Sequence, residues 1–465
     1  MKLFSKETYQ HRRNRLKSDM ESGLLLFVGN TEAPFNYPDN TYSFRQDSTF
    51  LYLFGIDRPD IAGIIDIDNN TEMLFGNDAT MDDIIWMGPQ PTLREQAELV
   101  GVTSVQPMDK LDITVQQAMA RGQKVHFVPP YRAETVIRIA ALTGIRPAEV
   151  AASASRRLID AMIALRSVKE PCEIDELEQH MAVGYAMHTV AMTMAQDGAT
   201  ECEIRARLEA ISLAGGGAVS FPTICSIHGE TLHNHHYRNT LRTGDLLLVD
   251  AGSESPLHYA TDHTRTTPVG GTFSTRQREI YQIVLDANNV ACQASRPGVF
   301  YRDVHFAAAR TIAQGLKDLG LMKGDVDEAV RAGAHALFFP HGIGHMLGLD
   351  VHDMENYNDT LVGYDAEIER SSQFGLAALR LGRRLKPGFV VTDEPGIYFI
   401  PALIDKWKSE KLFADFICYD KVDAYRDFGG IRLEDDLLIT HDGARILGSR
   451  IPIEPDEVET TVREI

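Results

Sequence analysis

Four acidic residues of this chain lie in clusters beside strand-like runs or glycine-rich turns, and that placement limits what the chain can fold into. Asp250 ends the run LLLVDAGSE, and Asp262 follows in ATDHTRTTPV. Glu394 lies in VVTDEPGIYF, and Glu434 in FGGIRLEDD. A carboxylate buried without a partner is very costly. One such residue can pair with an arginine, whereas four that converge repel one another unless cations stand between them. Each has an ordinary reading when taken singly. An Asp at a strand end commonly serves a turn or a cap, and Arg432 with Glu434 fits a cross-strand ion pair. Periodicity alone does not bring the clusters together. If they converge, two divalent ions match the four negative charges. A fifth cluster, PHGIGHMLGLDVHD, offers His341, His345 and His352, one of which would complete the set. Oxygen-rich ligands with a single imidazole favour a hard or borderline metal. Mn²⁺ fits best, with Co²⁺, Fe²⁺ and Zn²⁺ as further candidates. The chain has no Cys/His set at finger spacing, which argues against structural zinc.

The 465 residues suffice for two or three domains. The formal net charge of −20 repels phosphate backbones and anionic lipid, so neither nucleic acid nor a membrane is expected as a main partner. No apolar run approaches the roughly 20 residues that span a bilayer. The opening MKLFSKETYQHRRNRL has no apolar stretch of the kind a secretory signal needs. The five cysteines are scattered, without a C-x-x-C, as expected of reduced thiols. Together these features point to the cytoplasm.

The first 150 or so residues read as α/β. Short apolar runs at 23–29, 50–54, 62–68 and 125–128 are bounded by turn residues, as buried strands are. A helical stretch is expected over 91–100. A break falls at RSVKEP (166–171). Beyond it, Ile174, Leu177, Met181, Tyr185, His188 and Met192 follow helical steps, with Pro171 before the start and Gly198 after the end. In the second segment, strand-like runs at 246–249, 390–391 and 437–440 alternate with helices over 276–294 and 301–319. The expected division is 1–166 and 167–465.

Taken in order, the five clusters resemble the pita-bread metallopeptidases: methionine aminopeptidase, aminopeptidase P and prolidase. HGIGHMLGLDVHD and EPGIYF with GGIRLEDD resemble the proline-directed branch in particular. FRQDSTFLYLFGIDRPD is similar to the N-terminal domain of aminopeptidase P and prolidase, which methionine aminopeptidases lack. The resemblance covers nearly the whole chain. It implies an α/β (α+β) protein, with a creatinase/aminopeptidase P-like N-terminal domain and a C-terminal pita-bread catalytic domain. It also implies two metal ions, with Asp250 chelating one, Asp262 and Glu434 bridging both, and His345 and Glu394 completing the shell of the second metal. Ligands at all five positions argue against the family's non-catalytic binding members and against metal-independent creatinase.

The implied activity is hydrolysis of an N-terminal Xaa-Pro bond by a metal-activated water. The enzyme would be either an aminopeptidase P, taking peptides, or a prolidase, taking dipeptides only. Glu394 would act as general base and then acid. His352, helped by His233, would stabilise the oxyanion. His341 would line the proline pocket, and Arg432 would hold Glu434 or Asp262 in place. His235 and His236 read as a solvated loop. The N-terminal domain would restrict the entrance and make oligomer contacts in a homodimer or homotetramer. Two departures from the family pattern leave the ligands intact. The Asp250–Asp262 interval is one residue longer than the usual family spacing, with the extra residue placed near Ser255-Pro256. TDEPG stands where TVEPG is more usual, and strand alternation should turn Asp393 away from Glu394.

Overall fold

A computed structural model of the protein describes residues 2–464. The chain divides into two compact units. One runs up to Arg166 and takes in Met354–Asn358; the other holds Ser167–Asp353 and the chain from Asp359 onward.

The first unit contains α1 (Lys6–Asp19), β1 (Leu24–Val28), α2 (Ser48–Phe54), β2 (Ala62–Asp66), β3 (Thr71–Phe75) and α3 (Met81–Met87). It continues with α4 (Leu93–Leu99), β4 (Ser104–Gln106), α5 (Lys110–Ala120), β5 (Val125–His126), α6 (Ala133–Thr143) and α7 (Arg156–Ser167). Its sheet runs β4-β3-β2-β1-β5. The β1–β5 and β3–β4 pairs are parallel and the two central pairs antiparallel. Leu24, Leu26, Ala62, Ile64 and Phe75 of the strands bury against Leu111, Val115 and Ala118 of α5 and Leu142 of α6.

The run at 50–54 is a helix and not the expected strand. Asp47 accepts the Phe50 N–H at its start, and Gly55 closes it in the left-handed region at φ 66°. All seven residues of α2 are buried. A short helix apolar all round carries no 3.6-residue signal, so it reads like a buried strand. The segment Met354–Asn358 belongs with this unit through Tyr357. Its hydroxyl lies 2.6 Å from Thr49 Oγ1 and accepts from Arg166 Nη1 at 3.2 Å.

The second unit opens with α8 (Pro171–Thr193), started by Pro171 and by a reciprocal cap between Glu170 and Glu173. There follow α9 (Glu201–Ala214), β6 (Ile224–Ser226), β7 (Leu246–Ala251), β8 (His263–Pro268), α10 (Thr275–Ala294), α11 (Tyr301–Asp318), α12 (Val326–Ala332) and α13 (Asp359–Gly363). The remainder is β9 (Val390–Asp393), β10 (Gly396–Tyr398), α14 (Pro401–Ser409), α15 (Tyr419–Val422), β11 (Gly430–Arg432), β12 (Asp435–Ile439), β13 (Ala444–Ile446) and α16 (Pro455–Arg463).

Two antiparallel three-stranded sheets, β6-β7-β8 and β13-β12-β9, and the β10-β11 pair make up its strands. Met187 and Ala191 of α8 and Ile204 and Leu208 of α9 pack on Cys225, Leu247, Val249 and Ala251. The helices α10 and α11 pack together, and α10 also lies against β9, β10, β11 and β13. Every residue of β7, β8, β9 and β12 is buried, which explains why 246–249, 390–391 and 437–440 read as apolar runs without alternation; β8, with the sequence HTRTTP, gave no such run.

Candidate metal centre

Strand register brings the acidic clusters together. Asp250 pairs with Thr264 across β7 and β8. Thr264 in turn bridges to Glu434, just before β12. On the other side, β12 pairs with β9, aligning Asp435 with Asp393 and Asp436 with Thr392. Glu394 follows β9 directly, and its N–H donates to the Ile343 carbonyl at 2.8 Å. His345 reaches the same place on a glycine-rich loop. The Thr392 N–H donates to its carbonyl at 3.0 Å, and its own N–H donates to Thr392 Oγ1 at 3.2 Å. A Cβ at Gly344 would run into the Thr392 carbonyl, so the residue before His345 must lack one.

One ligand atom each from Asp262, His345 and Glu434 lies within 4.8 Å of the other two. The His345 Nδ1–H donates to the Met346 carbonyl at 3.0 Å, which leaves the Nε2 lone pair facing the carboxylates. That Nε2 lies 3.4 Å from Asp262 and 3.8 Å from Glu394. Asp250 stands beside the group, with Oδ2 accepting from Arg432 Nη2 at 2.6 Å and Oδ1 buried without a hydrogen-bond partner.

The electrostatics are those of crowded acids. Asp262 is pushed well above the usual carboxylate range, first by burial and then by Asp250, Asp436 and Glu394. Burial also lifts Glu434 well above that range, with Asp262, Glu394 and Asp250 adding to it. Burial raises Glu394 to about 6, against the pull of His345 and Arg432. A divalent cation removes this conflict. Four carboxylates, an unpartnered Asp250 oxygen and an imidazole with its lone pair directed inward form a donor set that fits one.

All nine residues expected at the site line one cavity of about 370 Å³: His233, Asp250, Asp262, His341, His345, His352, Glu394, Arg432 and Glu434. His235, expected in a solvated loop, lines it as well. The His352 ring stacks on His345 with centroids 3.8 Å apart and planes 13° off parallel. Both nitrogens of His341 are engaged: Nδ1 donates to the Gly342 carbonyl at 2.8 Å, and Nε2 accepts from the Tyr398 hydroxyl at 2.9 Å. Burial and the nearby Arg432 hold its pKa down to about 3, so it is neutral, with Nδ1 3.7 Å from Glu394 Oε2.

Arg432 differs from expectation. Instead of gripping Glu434 or Asp262, it holds Asp250 directly and donates from Nε to Thr264 Oγ1 at 3.0 Å. Thr264 then donates to Glu434 at 2.6 Å. The reason is register, since Thr264 stands between Asp250 and Glu434. Asp393 is buried, aligned with Asp435, and outside the residues that line the cavity.

Sequence reading missed three contributors. Tyr398 joins Arg432 to His341, accepting from Arg432 Nη1 at 3.0 Å. Thr264 links Arg432 to Glu434. Arg380 lines the cavity and lowers the Glu394 pKa through its charge. Tyr398 lies inside the EPGIYF motif, which was its only signal; Arg380 stands in a segment without a motif.

Comparison with known proteins agrees with the geometry. The model for "Metallopeptidase family M24" matches residues 175–441, and that for "Aminopeptidase P, N-terminal domain" matches residues 9–127. The chain belongs to metallopeptidase family M24. Human Xaa-Pro dipeptidase is 31% identical over 450 residues, spanning 94% of this chain and 88% of that protein. Escherichia coli Xaa-Pro aminopeptidase is 30% identical over 470 residues, spanning 99% and 98%. The structure of E. coli aminopeptidase P with the inhibitor Pro-Leu superposes with a TM-score of 0.81 at 29% identity, over 99% of both chains. This M24 chain is thus a mixed α/β metallopeptidase with an aminopeptidase P-type N-terminal domain.

The crowded acids predict how the metal-stripped protein responds to pH. A carboxyl whose folded pKa is raised keeps a proton that the unfolded chain has released, so stability falls as pH rises. The window opens at the ordinary values of 3.8 for Asp262 and 4.5 for Glu434 and Glu394, and extends upward past about 6. The melting temperature of chelator-treated protein should fall between about pH 5 and about pH 7, and added Mn²⁺ should remove the fall. A flat profile in the chelator-treated sample would contradict the crowding.

Proposed function

We propose that the chain is a metal-dependent exopeptidase that hydrolyses the N-terminal Xaa-Pro bond, as an Xaa-Pro aminopeptidase of the aminopeptidase P type. The observation that carries this is the meeting of Asp262, His345 and Glu434 beside Asp250 and Glu394 in one cavity. Those five residues would hold two divalent ions, Mn²⁺ by preference, which lower the pKa of a water and polarise the scissile carbonyl.

The remaining work falls to the chain's own groups. Glu394, whose carboxyl is raised to about 6, takes a proton from the attacking water and delivers it to the proline nitrogen as the C–N bond breaks. A pKa near the working pH suits both halves of that transfer. His352 and His233 donate to the carbonyl oxygen as it gains charge. Arg432 fixes Asp250 and, through Thr264, Glu434. An Xaa-Pro nitrogen carries no hydrogen and its ring fixes φ, so recognition must come from the carbonyl, the free amine and the shape of the ring. His341, neutral and tied at both nitrogens, supplies a wall for that ring.

The deciding experiment follows free alanine from Ala-Pro and from Ala-Pro-Ala-Ala with Mn²⁺-loaded enzyme. Release from the longer peptide is expected. Glu394→Gln should lower kcat by at least about 100-fold, at the low end of what general acid–base catalysis contributes. Near-normal turnover by that variant would remove Glu394 from its role.

One observation favours restriction to dipeptides. Arg380 lines the cavity near Glu394, where it can pair with the carboxylate of a terminal proline. If it does, Arg380→Ala raises KM for Ala-Pro by about tenfold, the worth of about 1.4 kcal/mol, and leaves Ala-Pro-Ala-Ala unchanged. Equal effects on both substrates would assign Arg380 to general electrostatics.

The N-terminal unit offers a surface for a second copy. Met81, Ile85, Trp86 and Met87 of α3 are all exposed, Trp86 at 86%. We assign α3 to the contacts of a homodimer or homotetramer in which the N-terminal domain restricts the entrance. Trp86→Asp should lower the mass measured by sedimentation equilibrium, and an unchanged mass would exclude α3 from the interface. Five scattered cysteines without a C-x-x-C suit the cytoplasm, which cell fractionation checks.

A further inference from the structure

The segment RSVKEP between α7 and α8 reads as a break between domains. Its lysine is nevertheless one of the most deeply buried charges in the second unit. Lys169 Nζ lies 2.9 Å from Asp353 Oδ2, and both side chains are 1% exposed. The backbone of Lys169 is anchored as well, its N–H donating to the Gly388 carbonyl at 2.8 Å, just before β9.

Asp353 directly follows His352 and closes the loop that carries it. Its N–H donates to the Met346 carbonyl at 3.0 Å, and its Oδ1 accepts from the Asp350 N–H at 3.3 Å. Within the loop, the Leu347 N–H donates to Val390 of β9, and the Gly348 carbonyl accepts from the Ala260 N–H. Gly348 leaves room for the ion pair: a Cβ there would come within 2.5 Å of Asp353 Oδ2 and 2.9 Å of Lys169 Cε. The loop contains glycines at 342, 344 and 348, whose backbones are the least restrained by their own chemistry. The ring it must place is that of His352, stacked on His345 and facing the cavity.

We propose that Lys169 and Asp353 are positioning residues, a buried ion pair that sets the His352 ring against His345 and thereby aims it at the reacting carbonyl. Stability alone is a poor reason for such a pair. Well-packed apolar residues of similar volume often replace a buried ion pair at no loss, whereas removing one partner leaves a buried charge uncompensated. What an apolar pair cannot do is accept the Asp350 N–H and hold the residue after His352 in one orientation. The catalytic half of the proposal rests on the reading of His352 given above; the placement of the ring does not.

The test separates the two. The double variant Lys169→Met/Asp353→Leu removes both charges together, so that neither is stranded. Gly348→Ala disturbs the pair by a different route and stands in if the double variant does not fold. In zinc-loaded protein with isotopically labelled histidine, His352→Ala identifies the His352 ring resonance. The stacked ring should lose its ring-current shift in the double variant or in Gly348→Ala. A resonance that stays in place overturns the proposal, whatever the kinetics.

In turnover, His352→Ala alone should lower kcat by about 100-fold, the typical cost of one oxyanion donor. The double variant should lose a similar factor with bound metal and KM unchanged. Combining the two should add no more than about twofold, because one function cannot be lost twice. Losses that multiply overturn the coupling. If the ring moves but His352→Ala leaves kcat intact, the positioning stands and the catalytic reading of His352 fails.

Discussion

Mutual repulsion among carboxylates in a medium that screens poorly is the constraint on which the rest of this structure depends. Asp250, Asp262, Glu394 and Glu434 come from four places in the chain, and none has a local reason to approach the others. Ladder hydrogen bonds hold them together, running from β7 through β8 and the Thr264–Glu434 bridge, then from β12 to β9. Among the described residues, the permanent cation bonded to the side chains of the group is Arg432, and it pairs with Asp250. The remaining acids stay in conflict until ions arrive. If the site holds two divalent ions, as proposed, the positive charge including Arg432 would exceed that of the four carboxylates by one. Such a cavity favours one further anion, which is the state a hydrolytic water must reach.

A site of this kind needs support from behind as well as from its own ligands. Asn288 of α10 donates to the Asp393 carbonyl at 3.1 Å, and the Tyr301 hydroxyl of α11 donates to the Thr392 carbonyl. The end of β9, from which Glu394 projects, is thus tied to two long helices. Arg265 does the same for β12, donating to the Glu434 carbonyl at 2.8 Å and to Asp435 at 2.7 Å. The acids are held by backbone that cannot relax away from the charge, which is what pre-organisation requires.

Much of this was legible in the sequence, for a physical reason. Strands buried on both faces show as plain apolar runs, so an acid at the end of one stands out, as Asp250 and Glu394 do, whereas Asp262, His345 and Glu434 showed only as polar clusters beside turns or in a glycine-rich loop. Their convergence was not visible, because register between strands some 170 residues apart leaves no periodic trace. The same limit hid Thr264 as the go-between for Arg432, and it hid Tyr357, whose five-residue segment packs with the first unit. The misread α2 has the opposite cause: burial on all sides erased the helical period. Lys169 was hidden because charged, proline-flanked sequence usually marks exposed linker, and only its buried partner shows otherwise.

The proposed ligands also differ in what they can be asked to do. The side chains of Asp262 and His345 are only 7% and 4% exposed, whereas that of Glu394 is 20% exposed. In the proposed reaction a proton carrier must meet both the water and the leaving nitrogen, and an enclosed side chain cannot. Glu394 is also the carboxylate whose pKa is lifted only to about 6, because His345 and Arg432 partly offset its burial. Exposure and proton affinity therefore select the same residue. The proposed division of labour between holding ions and moving protons follows from where β9 ends: one residue earlier the side chain would be sealed against β12 with Asp393, and at Glu394 it opens into the cavity.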